Sequence, residues 1–146
     1  MPDARRGIVH VLRSRGGTTC ASYPAELRSI RAVRTASSAT AVRLFGQGRR
    51  LSDIELAVSE LATNAVEHGT GPMFAVSTFT TPRQFIVEVV SDGEREPDTI
   101  TAPTPDQFTG RGLHIAWNVA DSLRIASDDG TVPVTCSFTR PEFPET

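Results

Sequence analysis

Glu60 and Asn64 lie four residues apart in the segment SELATNAVEHG, which covers residues 59 to 69. In a helix, side chains at this spacing project from the same face. A carboxylate can take a proton from a hydroxyl group, and an amide oxygen suits a hard cation such as Mg²⁺. An ordinary solvated helix face can carry the same two residues, so the pair alone leaves both interpretations open.

A second candidate is the segment VVSDG, in which an apolar run ends on Asp92 and Gly93. A carboxylate at the end of a buried strand can accept a hydrogen bond from an exocyclic amine, and a glycine lets the backbone approach a flat ligand closely. A simple Asp-Gly turn is the structural alternative. The residues by themselves favour neither interpretation.

The third candidate is TGRGLHIAW, residues 109 to 117, where two glycines precede a predicted helix. Free backbone N–H groups and the positive end of the helix dipole can bind a phosphate at such a start, and Arg111 can add a positive charge. Glycine-rich turns before helices are common, so this motif is also weak in isolation. His114 is more simply a packed or capped helix residue.

Composition excludes several other chemistries. All 15 basic residues are arginine, which excludes the lysine of a Walker-type phosphate loop, a Schiff-base lysine and a lysine general base. Zinc is disfavoured because an amide is a poor zinc ligand and no HExxH segment occurs. A net charge of -2 gives no electrostatic reason to expect a nucleic-acid or membrane partner. No segment resembles a membrane span or a secretory signal, so we expect a cytoplasmic protein whose Cys20 and Cys136 are reduced.

Hydrophobic periodicity predicts the elements that position these residues. A first helix is expected from Pro24 to about Phe45, and a second begins at a capping box of Ser52 and Glu55 and stops at Gly69. MFAVSTFT and QFIVEVVS predict an antiparallel hairpin. The segment from 92 to 109 is rich in proline and predicts a long loop of the kind that often forms a lid.

The C-terminal part predicts a third helix in GRGLHIAWNVADSL and a final hairpin, whose last strand Pro133 would weaken or place on an edge. Together the elements predict an α/β (α+β) two-layer sandwich, with a mixed, mostly antiparallel sheet covered on one face by helices. We assign residues 1–22 to a flexible N-terminal arm with at most one marginal strand, 23–140 to a single domain and 141–146 to a C-terminal tail.

The three motifs, in this order, resemble those of the GHKL ATP-binding superfamily and, within it, the small bacterial anti-sigma factor serine kinases. LAVSELATNAVEHG resembles the asparagine box of the family, VVSDG its first glycine box and GRGLHIAWNVAD its second. The resemblance runs from about Tyr23 to Phe138. It implies a Bergerat-type fold that binds ATP and Mg²⁺.

Carried over by position, the resemblance implies that Asn64 coordinates a Mg²⁺ ion bridging the phosphates. It implies that Asp92, with Gly93 beside it, accepts a hydrogen bond from the adenine amine. Glu60 would be the general base toward a hydroxyl of the partner protein. The phosphates would be held by four consecutive residues, Gly110, Arg111, Gly112 and Leu113.

The sequence departs from the family pattern after Asp92, where DGEREPD has Glu94, Arg95 and Glu96 in place of small residues. Two carboxylates near a triphosphate would repel it unless Arg95 or a metal ion compensates. We therefore expect a reduced affinity for the nucleotide.

The leading hypothesis is an anti-sigma factor with ATP-dependent serine/threonine kinase activity toward an anti-anti-sigma (STAS-type) protein, which would regulate transcription by partner switching. The resemblance also implies a sigma factor bound along the first helix, residues 24 to 45, and a homodimer. The alternative is a non-catalytic anti-sigma or interaction module with weak or no ATP binding, which Glu94 and Glu96 favour. A free-standing ATPase is a third and less favoured class.

Overall fold

The computed structural model describes residues 10–14, 18–93 and 112–140. Its elements follow one another in the order β1 (His10–Ser14), β2 (Thr18–Pro24), α1 (Leu27–Phe45), α2 (Arg49–His68), β3 (Met73–Thr80), β4 (Gln84–Asp92), α3 (Gly112–Val119), β5 (Ser122–Ile125) and β6 (Thr131–Thr139).

The strands form one sheet in the order β1-β2-β3-β4-β6-β5. Every pairing among the described strands is antiparallel, although the prediction had allowed for a mixed sheet. Buried and half-buried residues alternate along β4 and β6, as expected for a sheet with one covered face. The predicted two-layer fold is confirmed.

The core lies between this covered face and the helices. α1 and α2 pack side by side, and α3 packs against α2. The apolar stripe of α2 is fully or almost fully buried, and so are the large residues of the strands below it: Ile54, Val58, Leu61, Phe85, Val87, Val89 and Phe138. Burial of each such side chain contributes about 1.5–3 kcal/mol. Within the described residues, none of the helices is long and apolar enough to cross a membrane.

The N-terminal part of the chain differs from the prediction. Residues 1–22 were expected to form an arm, but β1 pairs with β2, and β2 continues the sheet by pairing with β3. Ala21, Tyr23 and Pro24 are buried in β2, and Ala21 and Tyr23 alternate on its helix-facing side. Two apolar residues separated by a serine are too short a pattern to predict a strand from sequence. Residues 1–9 and the predicted tail at 141–146 lie outside the described residues.

The predicted capping box at Ser52 is wrong. α2 begins at Arg49, one residue after Gly48, and no side-chain cap is present among the described residues. The Ser52 hydroxyl donates instead to the Gly48 carbonyl at 3.3 Å, and Glu55 accepts a hydrogen bond from Ser38 of α1 at 2.6 Å. The predicted stop at Gly69 is confirmed, because α2 ends at the preceding residue.

Pro133 also has a different role from the predicted one. β6 lies between β4 and β5, and Pro133 pairs with Val90 inside the sheet. The Pro133 carbonyl accepts a hydrogen bond from the Ala126 N–H at 3.0 Å, so the polar groups of this residue point toward β5 rather than β4. Proline has no backbone N–H, and at Pro133 this group would have pointed to the side of β5, which has already ended at Ile125. The hydrogen bonds between β4 and β6 are therefore all retained.

Candidate functional site

The last half of α2 positions Glu60 and Asn64 at the edge of the core. Both side chains are half-buried, and each precedes a buried residue of the apolar stripe, Leu61 and Ala65. Because the stripe fixes the rotation of the helix on the sheet, it also fixes where the neighbouring polar face points. Glu60 and Asn64 therefore share the predicted face, between the core and the solvent.

The environment of Glu60 makes its carboxyl group a stronger base than an exposed glutamate. Partial burial raises the pKa of Glu60, and the negative charge of Glu67 raises that pKa further. Both effects disfavour the charged form. A nearby cation would offset this penalty, and a proton donor would find a carboxylate ready to accept its proton.

The end of α2 contacts the end of β4 directly. The Gly69 N–H donates to the Ala65 carbonyl at 2.9 Å and closes the last turn of the helix. A Cβ atom added to Gly69 would lie 2.6 Å from the Ala65 carbonyl oxygen and 3.1 Å from the Cβ of Ser91. Only a glycine lets the chain pass this close to β4.

Asp92, the last residue of β4, is covered on one side by the loop that follows α2. The backbone N–H of Thr70 donates to the Asp92 carbonyl at 2.9 Å. A Cβ atom on Gly71 would lie 2.0 Å from Oδ2 of Asp92, so the carboxylate occupies the space that any other side chain would need. The loop thereby brings the chain that follows α2 against Asp92.

Gly71 was missed by the sequence analysis. The available signal was the segment GTGP, in which a second glycine follows the helix stop at Gly69 by two residues. One glycine suffices to end a helix, so the second called for a separate explanation. The close approach to Asp92 supplies it.

Gly93 turns the chain away immediately after Asp92. Its φ angle of 138° lies in a region that other residues rarely adopt. Its N–H donates to the Gly130 carbonyl, in the turn of the final hairpin, at 2.8 Å. This bond ties the end of β4 to the β5–β6 turn and leaves the Asp92 side chain exposed.

α3 begins at Gly112, as the third motif predicts, and Leu113 and Ala116 are buried. The Nδ1 atom of His114 is buried without a hydrogen-bond partner among the residues that the structure describes. The other predicted phosphate-binding residues, Gly110 and Arg111, lie outside the described residues. So do the predicted lid and the three charged residues Glu94, Arg95 and Glu96.

The described donors fit a metal ion that arrives with a ligand rather than one held by protein alone. The described ranges contain no group of three or more His, Cys, Asp or Glu residues that could hold a metal ion. Asn64 offers one neutral oxygen, with the Glu60 carboxylate one turn away. Mg²⁺ commonly takes one or two protein ligands and completes its shell with phosphate oxygens and water, so these residues suit it and do not suit zinc.

Comparison with known proteins gives three findings. Residues 23–136, most of the chain, match the family model for the histidine kinase-like ATPase domain. The anti-sigma F factor of Clostridium acetobutylicum is 26% identical over 90 residues, which cover 55% of this chain and 63% of that protein. The match thus spans less than two thirds of that relative.

The third finding is structural. The crystal structure of the RsbU and RsbW domains of a Mycobacterium tuberculosis protein superposes with a TM-score of 0.61 and 22% sequence identity. The superposition covers 84% of this chain and 33% of that chain. At this level of identity, the likeness establishes a shared fold.

Proposed function

Because this chain belongs to the histidine kinase-like ATPase domain family, we propose that it is an anti-sigma factor that binds Mg-ATP and phosphorylates an anti-anti-sigma protein on serine or threonine. The observation that carries the proposal is the half-buried Glu60, whose pKa is raised, one helical turn before Asn64 and on the helix whose following loop contacts Asp92. Similarity to an anti-sigma F factor supports the regulatory class.

In the proposed complex, ATP lies across the end of α2, the end of β4 and the start of α3. Asp92 accepts a hydrogen bond from the adenine amine. Gly110, Arg111, Gly112 and Leu113 hold the phosphates through backbone N–H groups and one guanidinium group. Asn64 would give its amide oxygen to Mg²⁺, which would neutralise part of the phosphate charge when bound.

Glu60 provides the proton acceptor. It takes the proton of the serine or threonine hydroxyl as the hydroxyl oxygen forms a bond to the γ-phosphorus. The bond from the γ-phosphorus to the bridging oxygen breaks, and ADP leaves with the electron pair. A positioned base of this kind contributes roughly 10²- to 10⁴-fold to the rate, and a raised pKa brings it closer to the optimum for neutral pH.

The partner surface that the charges favour is on α1. This helix contains four arginines and no acidic residue, whereas the whole chain has a net charge of -2. Arg28, Arg31 and Arg34 recur at a spacing of three and form one basic face, which we call the arginine face. Glu26, just before the helix, pairs with Arg28 at 2.7 Å. Leu27 beside the arginine face is 72% exposed. A sigma factor and an anti-anti-sigma protein that both present acidic residues with an apolar contact would compete for this surface, as partner switching requires.

The test is calorimetric titration of Mg-ATP into the wild type and Asn64→Ala, with Ser52→Ala, an exposed substitution at the far end of α2, as the control. We expect heat of binding in the wild type and the control and a loss of at least tenfold in affinity in Asn64→Ala, because its Mg²⁺ ligand is removed. Binding that is the same in all three proteins would contradict the proposed site.

A phosphotransfer assay with STAS-type proteins of the same organism then separates the kinase from the interaction module. We expect Glu60→Ala to bind Mg-ATP but to transfer phosphate roughly 10²- to 10⁴-fold more slowly than the wild type. A folded wild type that binds a sigma factor but neither binds ATP nor transfers phosphate would establish the non-catalytic alternative.

A further inference from the structure

A cavity of about 600 Å³ lies between the C-terminal half of α1 and strands β2 and β3. This volume is within the range of about 300–1,000 Å³ that is typical of small-molecule sites. None of the described residues that line it belongs to α2, α3 or β4. The cavity, which we call the α1 cavity, is therefore separate from the candidate ATP site.

The walls of the α1 cavity contain hydroxyl groups that lack partners. Ser37 is 2% exposed and Tyr23 is 4% exposed, and both line the cavity. The structure has no hydrogen bond for either hydroxyl among the described residues. Thr19 and Thr78, by contrast, bond to each other at 2.5 Å. Neither hydroxyl oxygen is among the buried, unpartnered atoms of the described residues, so each is accessible from the open volume of the cavity, where a ligand oxygen can bond to it.

The remaining lining sets the other features of the ligand. Ala21, Leu44 and Val76 supply apolar surface. Arg43 is the only charged residue among the described lining residues, and it is exposed at the cavity rim. A single guanidinium group with no competing carboxylate favours a monoanion, and a carboxylate matches its paired donors.

We propose that the α1 cavity binds a small organic monocarboxylate that has an apolar body and a second oxygen function. The carboxylate pairs with Arg43 at the rim, and the apolar body lies along Leu44 and Val76. The second oxygen accepts hydrogen bonds from Ser37 and Tyr23. This site is independent of ATP binding and of phosphotransfer.

The experiment is an NMR titration of the isotopically labelled full chain with three probes: octanoate, 8-hydroxyoctanoate and octan-1-ol. We expect chemical-shift changes confined to α1, β2 and β3, with 8-hydroxyoctanoate binding most tightly and octan-1-ol, which lacks the charge, most weakly. Shift changes that centre on Asn64 or Asp92, or none at low-millimolar probe, would overturn the proposal.

Three variants test the assigned contacts. Arg43→Gln should weaken both carboxylates roughly tenfold and leave octan-1-ol unchanged, because it removes one charge-assisted contact. Ser37→Ala should remove the advantage of the hydroxylated probe. Ala39→Trp, at an exposed position on the cavity wall, should block all three probes. Arg124→Gln is the matched control, an exposed arginine of β5 that does not line the cavity.

The variants are compared only when their spectra retain the dispersion of the folded wild type. Carboxylate affinities that are the same in Arg43→Gln and Arg124→Gln would show that the guanidinium group at the rim is not the ligand contact. Unchanged binding in a folded Ala39→Trp would place the probes outside the α1 cavity. Either result overturns the assignment.

Discussion

Glu60 links the proposed chemistry to stability. Partial burial and Glu67 raise the pKa of Glu60 in the folded protein above its unfolded value. The folded state therefore holds the proton more tightly, and stability falls as the pH rises from the unfolded pKa through the folded one. The deprotonated carboxylate costs stability at neutral pH, in exchange for its strength as a base.

We expect Glu60→Gln to be more stable than the wild type at neutral pH and about equally stable below about pH 4, where glutamate is protonated in both states. The measurement is the melting temperature of both proteins between these pH values. Since the carboxyl group is partly solvated, the gain should be modest. A variant that is less stable than the wild type at neutral pH would show that the charged carboxylate is favoured by its surroundings.

Gly71 gives a second prediction at the residue scale. A Cβ atom at this position would overlap Oδ2 of Asp92, so Gly71→Ala must displace the carboxylate. We expect the variant to fold and to bind Mg-ATP roughly tenfold more weakly, because the proposed contact of Asp92 with the adenine amine would be lost.

A double-mutant cycle checks this route. If Gly71→Ala acts through Asp92, adding it to Asp92→Ala should cause little further loss of ATP affinity. Losses that simply add would mean that Gly71 affects the site by another path, such as the position of the whole loop after α2.

At the element scale, Arg50 holds three elements together. Its guanidinium group donates to the Val119 carbonyl at the end of α3 and to Asp121, each at 2.8 Å. It also lies 5.0 Å from the ring centre of Phe138 in β6. α3 is only eight residues long, so this anchor at its C-terminal end also steadies its N-terminal end, where the phosphates are proposed to bind.

We expect Arg50→Ala to lower the free energy of unfolding by about 1–2 kcal/mol, because hydrogen bonds to charged groups and the packing of the arginine stem are lost. Amide hydrogen exchange should accelerate most in α3. The control is Arg49→Ala, its exposed neighbour, which should change stability little. Equal effects in the two variants would contradict the role of Arg50 as an anchor.

The same contacts explain why the start of α2 could not be predicted. Ser52 and Glu55 have the spacing of a capping box, but Arg50 makes its bonds to residues about 70 positions away in sequence. Those bonds stabilise an additional helical turn that no local pattern encodes. By contrast, the stop at Gly69 depends on local backbone geometry and was predicted correctly.

At the scale of the whole molecule, the elements in which a periodic hydrophobic pattern extends over many residues were predictable, and so was the two-layer fold. The apolar stripe of α2 and the alternation in β3 and β4 indicated which faces are buried. β2 was not predictable as a sheet strand, because its stability comes from pairing with β3 and β1 rather than from its own apolar residues.

Some parts of the candidate site could likewise be predicted from the sequence, and others could not. Glu60, Asn64 and Asp92 were identified by residue type and spacing together with the resemblance to a known family. Gly71 and the α1 cavity were not, because each depends on atoms from elements that are distant in sequence. The strand order could not be predicted from the sequence either. In the structure β6 lies between β4 and β5, which places Pro133 inside the sheet.

The position of Pro133 has a further consequence for the protein in a crowded solution. β5, at the edge of the sheet, has only four residues. Just beyond its end, Pro133 has no N–H group, and the N–H of Thr131 already donates to Asp128 at 3.1 Å. A strand from another molecule would therefore find few free donors on β6 beyond the end of β5, which limits edge-to-edge pairing at this part of the border.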